Sequence, residues 1–331
     1  VEFDPHSLKV TGSPYPIPLD IEVDPPNGVA SFDVSANGTF VYKSDIRKEV
    51  ALTWSDEQGN EQAALDSVGA YSDFSISPDG KKIAVVRDGE VWAFDTQRRL
   101  FTRLTHSDQI EKYVGWTPDG RDVLFARDVP QYDIFKVAAD GSRPEQVLLS
   151  TDHDKTWGVI SGDGRTLLYN TDPNGNGDLY ALALDSGAAA KPRPVLTGEA
   201  EQGRATFSPD SHWITYVSDE SGRREAYLAP WPLDRGPARQ QISDNGANST
   251  LWAPDGKTIY YEWSNRIYKV RVNPAAGDIG RPELLSKIQP AVGYVVGPDG
   301  RFLIMRLAKS AERHSIKIVL NWSPVPPDAR P

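Results

Sequence analysis

Cysteine is absent from the sequence, so disulfide bonds and thiolate metal sites are excluded. The five histidines are scattered, with no His-x-x-x-His pair of the kind that binds zinc on a helix. No apolar run approaches the roughly 18 residues that a membrane-spanning helix needs. Basic residues are outnumbered, 36 against 46 acidic, for a formal net charge of −10. This balance argues against a nucleic-acid partner and against adsorption to anionic lipid, and the lack of a long apolar run argues against insertion of this domain into a membrane.

Strand-forming and turn-forming residues are abundant, including nine Trp and thirteen Tyr. A tight-turn dipeptide recurs at intervals of about 40 to 47 residues, which is the period of one propeller blade. Asp or Asn before Gly between two apolar runs is a strong hairpin signal, because both residues tolerate a positive φ. Six such dipeptides end at residues 38, 80, 120, 164, 256 and 300, and Asp210-Ser211 takes the corresponding place in the fifth repeat.

Each repeat contains four short apolar runs, so the sequence predicts an all-β fold: a seven-bladed β-propeller of four-stranded blades. The seven repeats cover residues 21–322, and the last one stops after its third strand. Residues 13–19, within an N-terminal segment 1–20, have the pattern of the missing fourth strand. We therefore expect them to pair beside residues 315–322 and close the ring. Residues 323–331 are predicted to be a Pro-rich tail.

The Ser-Pro-Asp-Gly turn at 77–80, followed by an apolar strand, resembles the WD40-like (PD40) repeats of TolB-type propellers. Residues 214–223 and 252–261 are similar to the C-terminal propeller of acidobacterial-type membrane-anchored Ser/Thr protein kinases. The resemblance implies a bacterial domain outside the cytoplasm that senses or binds a partner. No Gly-rich loop with a downstream Lys, no His-Arg-Asp and no Asp-Phe-Gly is present, so kinase activity would reside in another segment.

The predicted ligand site lies at one mouth of the propeller channel, where the innermost strands begin. Counting back from each turn places several side chains with binding chemistry at this rim. Aromatic faces beside a guanidinium suit a protein, peptide or carbohydrate ligand. The alternative is that these side chains only plug the channel. The candidates are Asp73, Tyr113, Trp157 and Arg204, with Lys155 and Asn248 beside them.

One loop has the beginning of a calcium-binding pattern, with oxygen ligands at alternate positions and Gly177 at the sixth. The twelfth position is Ala183, where a calcium loop has a bidentate Glu. Asn, Gly and Asp also form turns without an ion, so we predict a turn, with calcium as the alternative and no other cofactor. The candidate ligands are Asp172, Asn174, Asn176 and Asp178.

No Gly-x-Ser-x-Gly elbow or other nucleophile–base motif is present. The sequence therefore favours a non-catalytic binding domain, an extracytoplasmic sensor or interaction platform. A propeller-fold polysaccharide lyase or glycosidase acting at the channel mouth is the alternative, and Asp73 with Arg204 is the pair that favours it. A scaffold without a small ligand is the third possibility.

Overall fold

The computed structural model divides the chain into two compact units, Val50–Leu307 and the two flanking segments Val1–Glu49 and Ala308–Pro331. In the described residues the only helices are two short 3₁₀ helices, Leu184–Ala189 and Pro274–Ala276, and neither can cross a membrane. The structure describes residues 2–4, 9–11, 21, 23–24, 29–35, 39–43, 49–129, 131–171, 177–234, 239–288, 292–308 and 316–320.

The unit Val50–Leu307 contains six antiparallel sheets of four paired strands, which we number sheets 1 to 6. Strands within a sheet are numbered first to fourth in the order in which they pair. The first strands of sheets 1 to 6 are Tyr71–Ile76, Glu111–Trp116, Lys155–Ile160, Gln202–Phe207, Ser249–Trp252 and Gly293–Val296. The second strands are Lys82–Arg87, Asp122–Asp128, Thr166–Thr171, Trp213–Ser218, Thr258–Trp263 and Phe302–Leu307.

The outer strands follow the same order, and sheet 5 has an additional short strand, Asp278–Ile279, at the end of its third strand. The third strands are Glu90–Asp95, Tyr132–Ala138, Asp178–Ala183, Glu225–Pro230, Arg266–Asn273 and Val50–Ser55. The fourth strands are Leu100–Arg103, Gln146–Leu149, Arg193–Leu196, Gln240–Gln241, Glu283–Leu284 and Glu61–Ala63.

The six sheets form a closed ring. Each first strand contacts the first strand of the next sheet, and that of sheet 6 contacts that of sheet 1. One cluster of buried apolar side chains lies between each pair of neighbouring sheets, including sheets 6 and 1. Burial of these clusters against one another is the main force that holds the sheets together, since apolar area removed from water stabilises a fold by about 25 cal/mol per Å².

The recurring Asp of the hairpin turns has the structural role that its sequence position predicts. In sheet 3, Oδ1 of Asp163 accepts hydrogen bonds from Oγ of Ser161 at 2.5 Å and from the backbone N of Arg165 at 3.0 Å. Gly164 follows with φ +74°, a conformation that glycine adopts without steric cost. The turns between first and second strands are therefore predictable from the residues within each turn.

The prediction of seven blades is not confirmed, because the described residues of this unit form six four-stranded sheets. The predicted place of residues 315–322 in the ring is wrong. Phe302–Leu307 pairs along six residue pairs with Val50–Ser55, where the sequence had placed residues 315–322. Val50 and Leu52 are 2% and 1% exposed and belong to the apolar cluster between sheets 6 and 1. Residues 13–19 and 323–331 lie outside the described residues.

The second unit contains a three-stranded sheet in which Phe40–Lys43 lies between Phe32–Val34 and Ile316–Val319. The predicted third strand of the last repeat therefore pairs here, with the second strand of the first repeat. Two further hairpins complete the described strands of this unit, Glu2–Asp4 with Lys9–Thr11 and Val23–Asp24 with Val29–Ala30.

Candidate functional site

Three residues that the sequence analysis predicts to bind a ligand have a left-handed backbone conformation. Tyr113, Trp157 and Arg204 have φ values of 58°, 51° and 53°. They are the third residues of the first strands of sheets 2, 3 and 4, and at each of them the strand register shifts in a β-bulge. For a residue with a side chain this conformation costs about 1–2 kcal/mol, and such strain clusters at functional sites.

Two of the three bulges, those at Tyr113 and Arg204, are held by polar side chains of the preceding sheets. Oδ2 of Asp73, in sheet 1, accepts a hydrogen bond from the backbone N of Val114 in the next sheet, at 3.2 Å. Oδ1 of Asn170, in sheet 3, accepts one from the backbone N of Arg204 at 3.1 Å. The amide of Asn170 also donates to the carbonyl of Gln202 at 2.8 Å. A carboxylate and an amide therefore fix the backbone from which the candidate side chains project.

A cleft of ≈ 690 Å³ opens at this end of the ring. It brings together four of the predicted residues and two that the sequence analysis missed. The predicted residues in its lining are Asp73, Trp157, Arg204 and Asn248, and the additional ones are Arg224 and Glu262. Tyr113 lines an adjoining cavity of ≈ 560 Å³ among the first strands, which shares Asp73 and Trp157 with the cleft.

The guanidinium of Arg204 lies over the ring of Trp157, 5.1 Å from its centroid. Arg204 is exposed, and no described carboxylate lies within 4.0 Å of it. Trp157 is partly buried, so it is neither a free rim residue nor a plug packed entirely inside the channel. Its indole Nε1 is buried without a hydrogen-bond partner. The pair offers an aromatic face and an exposed cation, which suit an anionic group.

The two carboxylates of the cleft differ in their surroundings. Both oxygens of Glu262 are engaged, one by Nδ2 of Asn248 at 3.0 Å and one by the backbone N of Asn265 at 2.7 Å. Burial raises the pKa of Asp73 from 3.8 to about 6, and its backbone hydrogen bonds and the charge of Arg204 limit that rise. Asp73 therefore keeps its proton to a higher pH than an ordinary aspartate does.

Lys155 does not reach the cleft, contrary to the prediction. Its side chain is completely buried, and Nζ lies 2.6 Å from Oδ1 of Asp133 and donates to the carbonyl of Thr151 at 2.8 Å. Lys155 begins the first strand of sheet 3, and its side chain turns into the junction with sheet 2. A buried ion pair of this kind holds two sheets together and leaves no charge for a ligand.

Of the predicted calcium ligands, Asp178 is described and is only 3% exposed, at the start of the third strand of sheet 3. Asp172, Asn174 and Asn176 lie outside the described residues. Among the residues that the structure describes, no three His, Asp or Glu side chains are grouped so that they could hold a metal ion.

No family model matches the sequence. Among solved structures, the chain is similar to a putative TolB from Agrobacterium tumefaciens, with a TM-score of 0.63, 16% identity, and coverage of 78% of this chain and 98% of that one. TolB from Acinetobacter baumannii matches with a TM-score of 0.53 and 15% identity over 83% of this chain and 66% of that one. An oligogalacturonate lyase from Vibrio parahaemolyticus matches with a TM-score of 0.52 and 14% identity over 82% and 75% of the two chains.

These likenesses, at low sequence identity, establish the fold class. The four-stranded sheets around a ring of first strands are those of a β-propeller. Within that class the chain is similar to the TolB-type propellers.

Proposed function

We propose that this protein is a non-catalytic binding propeller, and that the cleft containing Arg204 and Trp157 is its ligand site. The observation that carries the proposal is the guanidinium of Arg204, which lies 5.1 Å from the centroid of the Trp157 ring and has no carboxylate partner among the described residues. The left-handed backbone at both residues supports it, because conformational strain is retained in proteins mostly where it serves a site. The ligand is one that presents an anionic group beside a flat face, such as an acidic carbohydrate or an acidic peptide.

We further propose that the domain acts outside the bacterial cytoplasm as a sensor or interaction domain. The support is the resemblance of residues 214–223 and 252–261 to the propellers of membrane-anchored Ser/Thr protein kinases. A cleft with two arginines and two carboxylates, exposed at one end of a rigid ring, fits a domain that recognises a small group on a larger partner.

Binding of defined anionic probes tests the site. Trigalacturonate, an acidic tripeptide and the neutral maltotriose are titrated against the protein in calorimetry, with tryptophan fluorescence as the second readout. We expect at least one of the two anionic probes to bind and maltotriose to bind much more weakly. Arg204→Gln and Trp157→Ala are each expected to weaken that binding by about tenfold or more, because arginine and tryptophan dominate binding hot spots.

Arg121→Gln is the matched control, since Arg121 is an exposed arginine beside the Asp119 turn of sheet 2, outside the cleft. It should leave the affinity unchanged. The site proposal fails if neither anionic probe binds at millimolar concentration, or if the bound probe is indifferent to both cleft substitutions.

A second candidate function is a lyase or glycosidase that acts in the same cleft. The observation in its favour is Asp73, whose pKa of about 6 suits general acid–base chemistry near neutral pH. An oligogalacturonate lyase is also among the similar solved structures. Incubation with oligogalacturonate, followed by ultraviolet absorbance of an unsaturated product and by reducing-end assay, separates the two proposals. Turnover that Asp73→Asn abolishes would establish the enzyme, whereas binding without turnover supports the non-catalytic domain.

A further inference from the structure

Acidic residues recur at one register position where neighbouring sheets of the ring meet. They stand at or next to the start of the third strand, opposite the end of the second strand. In sheets 1 to 4 the cross-strand pairs are Glu90 with Arg87, Asp133 with Arg127, Asp178 with Thr171, and Glu225 with Ser218. Equivalent register means that these four carboxylates occupy corresponding places in successive sheets.

Three of the four have a basic partner. Glu90 pairs with Arg103, Asp133 pairs with Lys155 at 2.6 Å, and Glu225 pairs with Arg223. For Asp178, no Lys, Arg or His of the described residues lies within 4.0 Å. The residue that corresponds to Lys155 in the next sheet is the neutral Gln202, because Lys155 pairs with Thr171 as Gln202 pairs with Ser218. The junction between sheets 3 and 4 therefore keeps the carboxylate and lacks the cation.

Three buried side-chain oxygens at this junction have no hydrogen-bond partner among the residues that the structure describes: Oδ1 of Asp178, Oγ1 of Thr171 and Oε1 of Gln202. The residues are 3%, 7% and 6% exposed. Thr171 and Asp178 face each other across an antiparallel pair, so their side chains share one face of sheet 3. The backbone N of Gln202 donates to the carbonyl of Gly177 at 2.8 Å, which places Gln202 beside Asp178.

Burying a carboxylate and two further oxygen acceptors without partners is unfavourable, and each such group calls for a ligand. We propose that the junction of sheets 3 and 4 binds a metal cation through Asp178, Thr171 and Gln202. The cation takes the place that the ammonium of Lys155 occupies at the junction of sheets 2 and 3. A donor set made only of carboxylate, hydroxyl and amide oxygens selects a hard cation such as calcium, magnesium, sodium or potassium.

The proposed site is connected to the backbone of the cleft through Asn170. Nδ2 of Asn170 donates to the carbonyls of Asp178 and Gln202, at 3.4 Å and 2.8 Å, and its Oδ1 accepts from the backbone N of Arg204 at 3.1 Å. A cation bound beside Asp178 would hold sheets 3 and 4 in the register that positions the Arg204 bulge. The role of this cation is structural, and the proposal of a cation site does not depend on the cleft being a ligand site.

Thermal melting of the full chain tests the proposal. The protein is treated with chelator, exchanged into tetramethylammonium chloride, and titrated separately with calcium, magnesium, sodium and potassium chlorides at constant ionic strength. We expect at least one cation to raise Tm by about 5 °C or more at one hundred times its Kd, since a ligand that binds only the folded state stabilises it. Calorimetric titration of that cation should give one site.

Three variants locate the effect. Asp178→Asn should abolish the Tm response, and Glu90→Gln, at the corresponding position of sheet 1, should leave it intact. Gln202→Lys supplies an ammonium as Lys155 does, so its Tm should no longer depend on the cation.

The proposal is overturned if no cation raises Tm above its value in tetramethylammonium, which is the result expected when a proton or a water molecule occupies the junction. An equal response in Asp178→Asn also overturns it. If Asp178→Asn does not fold, Gln202→Lys decides, because an unchanged cation response in that variant places the cation elsewhere.

Discussion

Nζ of Lys155 lies 2.6 Å from Oδ1 of Asp133, and the lysine side chain has no contact with solvent. The pair joins the first strand of sheet 3 to the third strand of sheet 2. Removing one partner leaves the other charge buried without compensation. Lys155→Met should therefore lower the free energy of unfolding by about 3–5 kcal/mol, measured by denaturant unfolding at pH 7.

The double variant Asp133→Leu, Lys155→Met is the informative control, because replacing both members of a buried pair by apolar residues is often close to neutral. We expect it to regain most of the lost stability. A Lys155→Met protein that unfolds within about 1 kcal/mol of the parent would show that the ion pair contributes little to this junction.

The raised pKa of Asp73 makes stability depend on pH. The pKa of about 6 in the folded protein exceeds the ordinary 3.8, so the folded state binds this proton more tightly than the unfolded chain does. Asp73 therefore destabilises the fold progressively as pH rises from about 4 to about 6, by up to about 3 kcal/mol in all. Asn at this position does not titrate. Between pH 4 and pH 7 the free energy of unfolding of Asp73→Asn should therefore rise, relative to that of the parent, by about 2 kcal/mol.

The comparison isolates Asp73 because other carboxylates change both proteins equally. The turn aspartates, such as Asp163, have pKa values lowered by hydrogen bonds, and their stabilisation is lost as the pH falls. That contribution cancels in the difference between the two curves. Parallel curves for the parent and Asp73→Asn from pH 4 to pH 7 would contradict the raised pKa.

Closure of the ring is testable by an engineered disulfide, because the chain has no native cysteine to interfere. Ala51 and Arg306 are directly opposite each other in the third and second strands of sheet 6. The double variant Ala51→Cys, Arg306→Cys should form an intramolecular disulfide in mild oxidant, seen as a mobility shift that dithiothreitol reverses. The two single variants, which have only one thiol each, should show no such shift. Free thiols in the oxidised double variant would refute the closure by Val50–Ser55.

The bulge at Arg204 predicts that a glycine variant is more stable than an alanine variant there, the reverse of the order at an ordinary strand residue. Arg204→Ala and Arg204→Gly remove the same side-chain functions but differ in their tolerance of φ 53°. Because glycine adopts this conformation freely, Arg204→Gly should be more stable than Arg204→Ala by about 1 kcal/mol. At Ser72, an exposed strand residue whose φ is not positive, alanine should be the more stable. The same order at both positions would argue against the strained bulge.

The repeating strands and turns were predictable because their chemistry is local. Asp163 and Gly164 mark a hairpin wherever the chain places them. The strand that pairs with Phe302–Leu307 in the last repeat was not predictable, because Val50–Ser55 and Ile316–Val319 both have the sequence pattern of a third strand. Only the burial of Val50 and Leu52 between sheets distinguishes them.

The candidate site was predicted in part, for a similar reason. Trp157 and Arg204 were found by counting from the turns, because equivalent positions of equivalent strands meet at one end of a ring. Lys155 was misassigned, since sequence distance does not reveal whether a strand's first side chain faces the cleft or the neighbouring sheet. Asn170 was missed because it lies in a second strand, and Arg224 because it lies in the loop before the third strand of sheet 4. The counting covered only the first strands.

The pairing of Val50–Ser55 with Phe302–Leu307 also has a consequence for the order of events on the ribosome. The third and fourth strands of sheet 6 are synthesised first in this unit, and their second strand is among the last residues of it to appear. Sheets 1 to 5 can each assemble from contiguous chain as it emerges. The early strands meanwhile wait with their apolar face uncovered, so nascent protein is exposed to aggregation until the ring closes, and chaperones that shield such surfaces should bind it there.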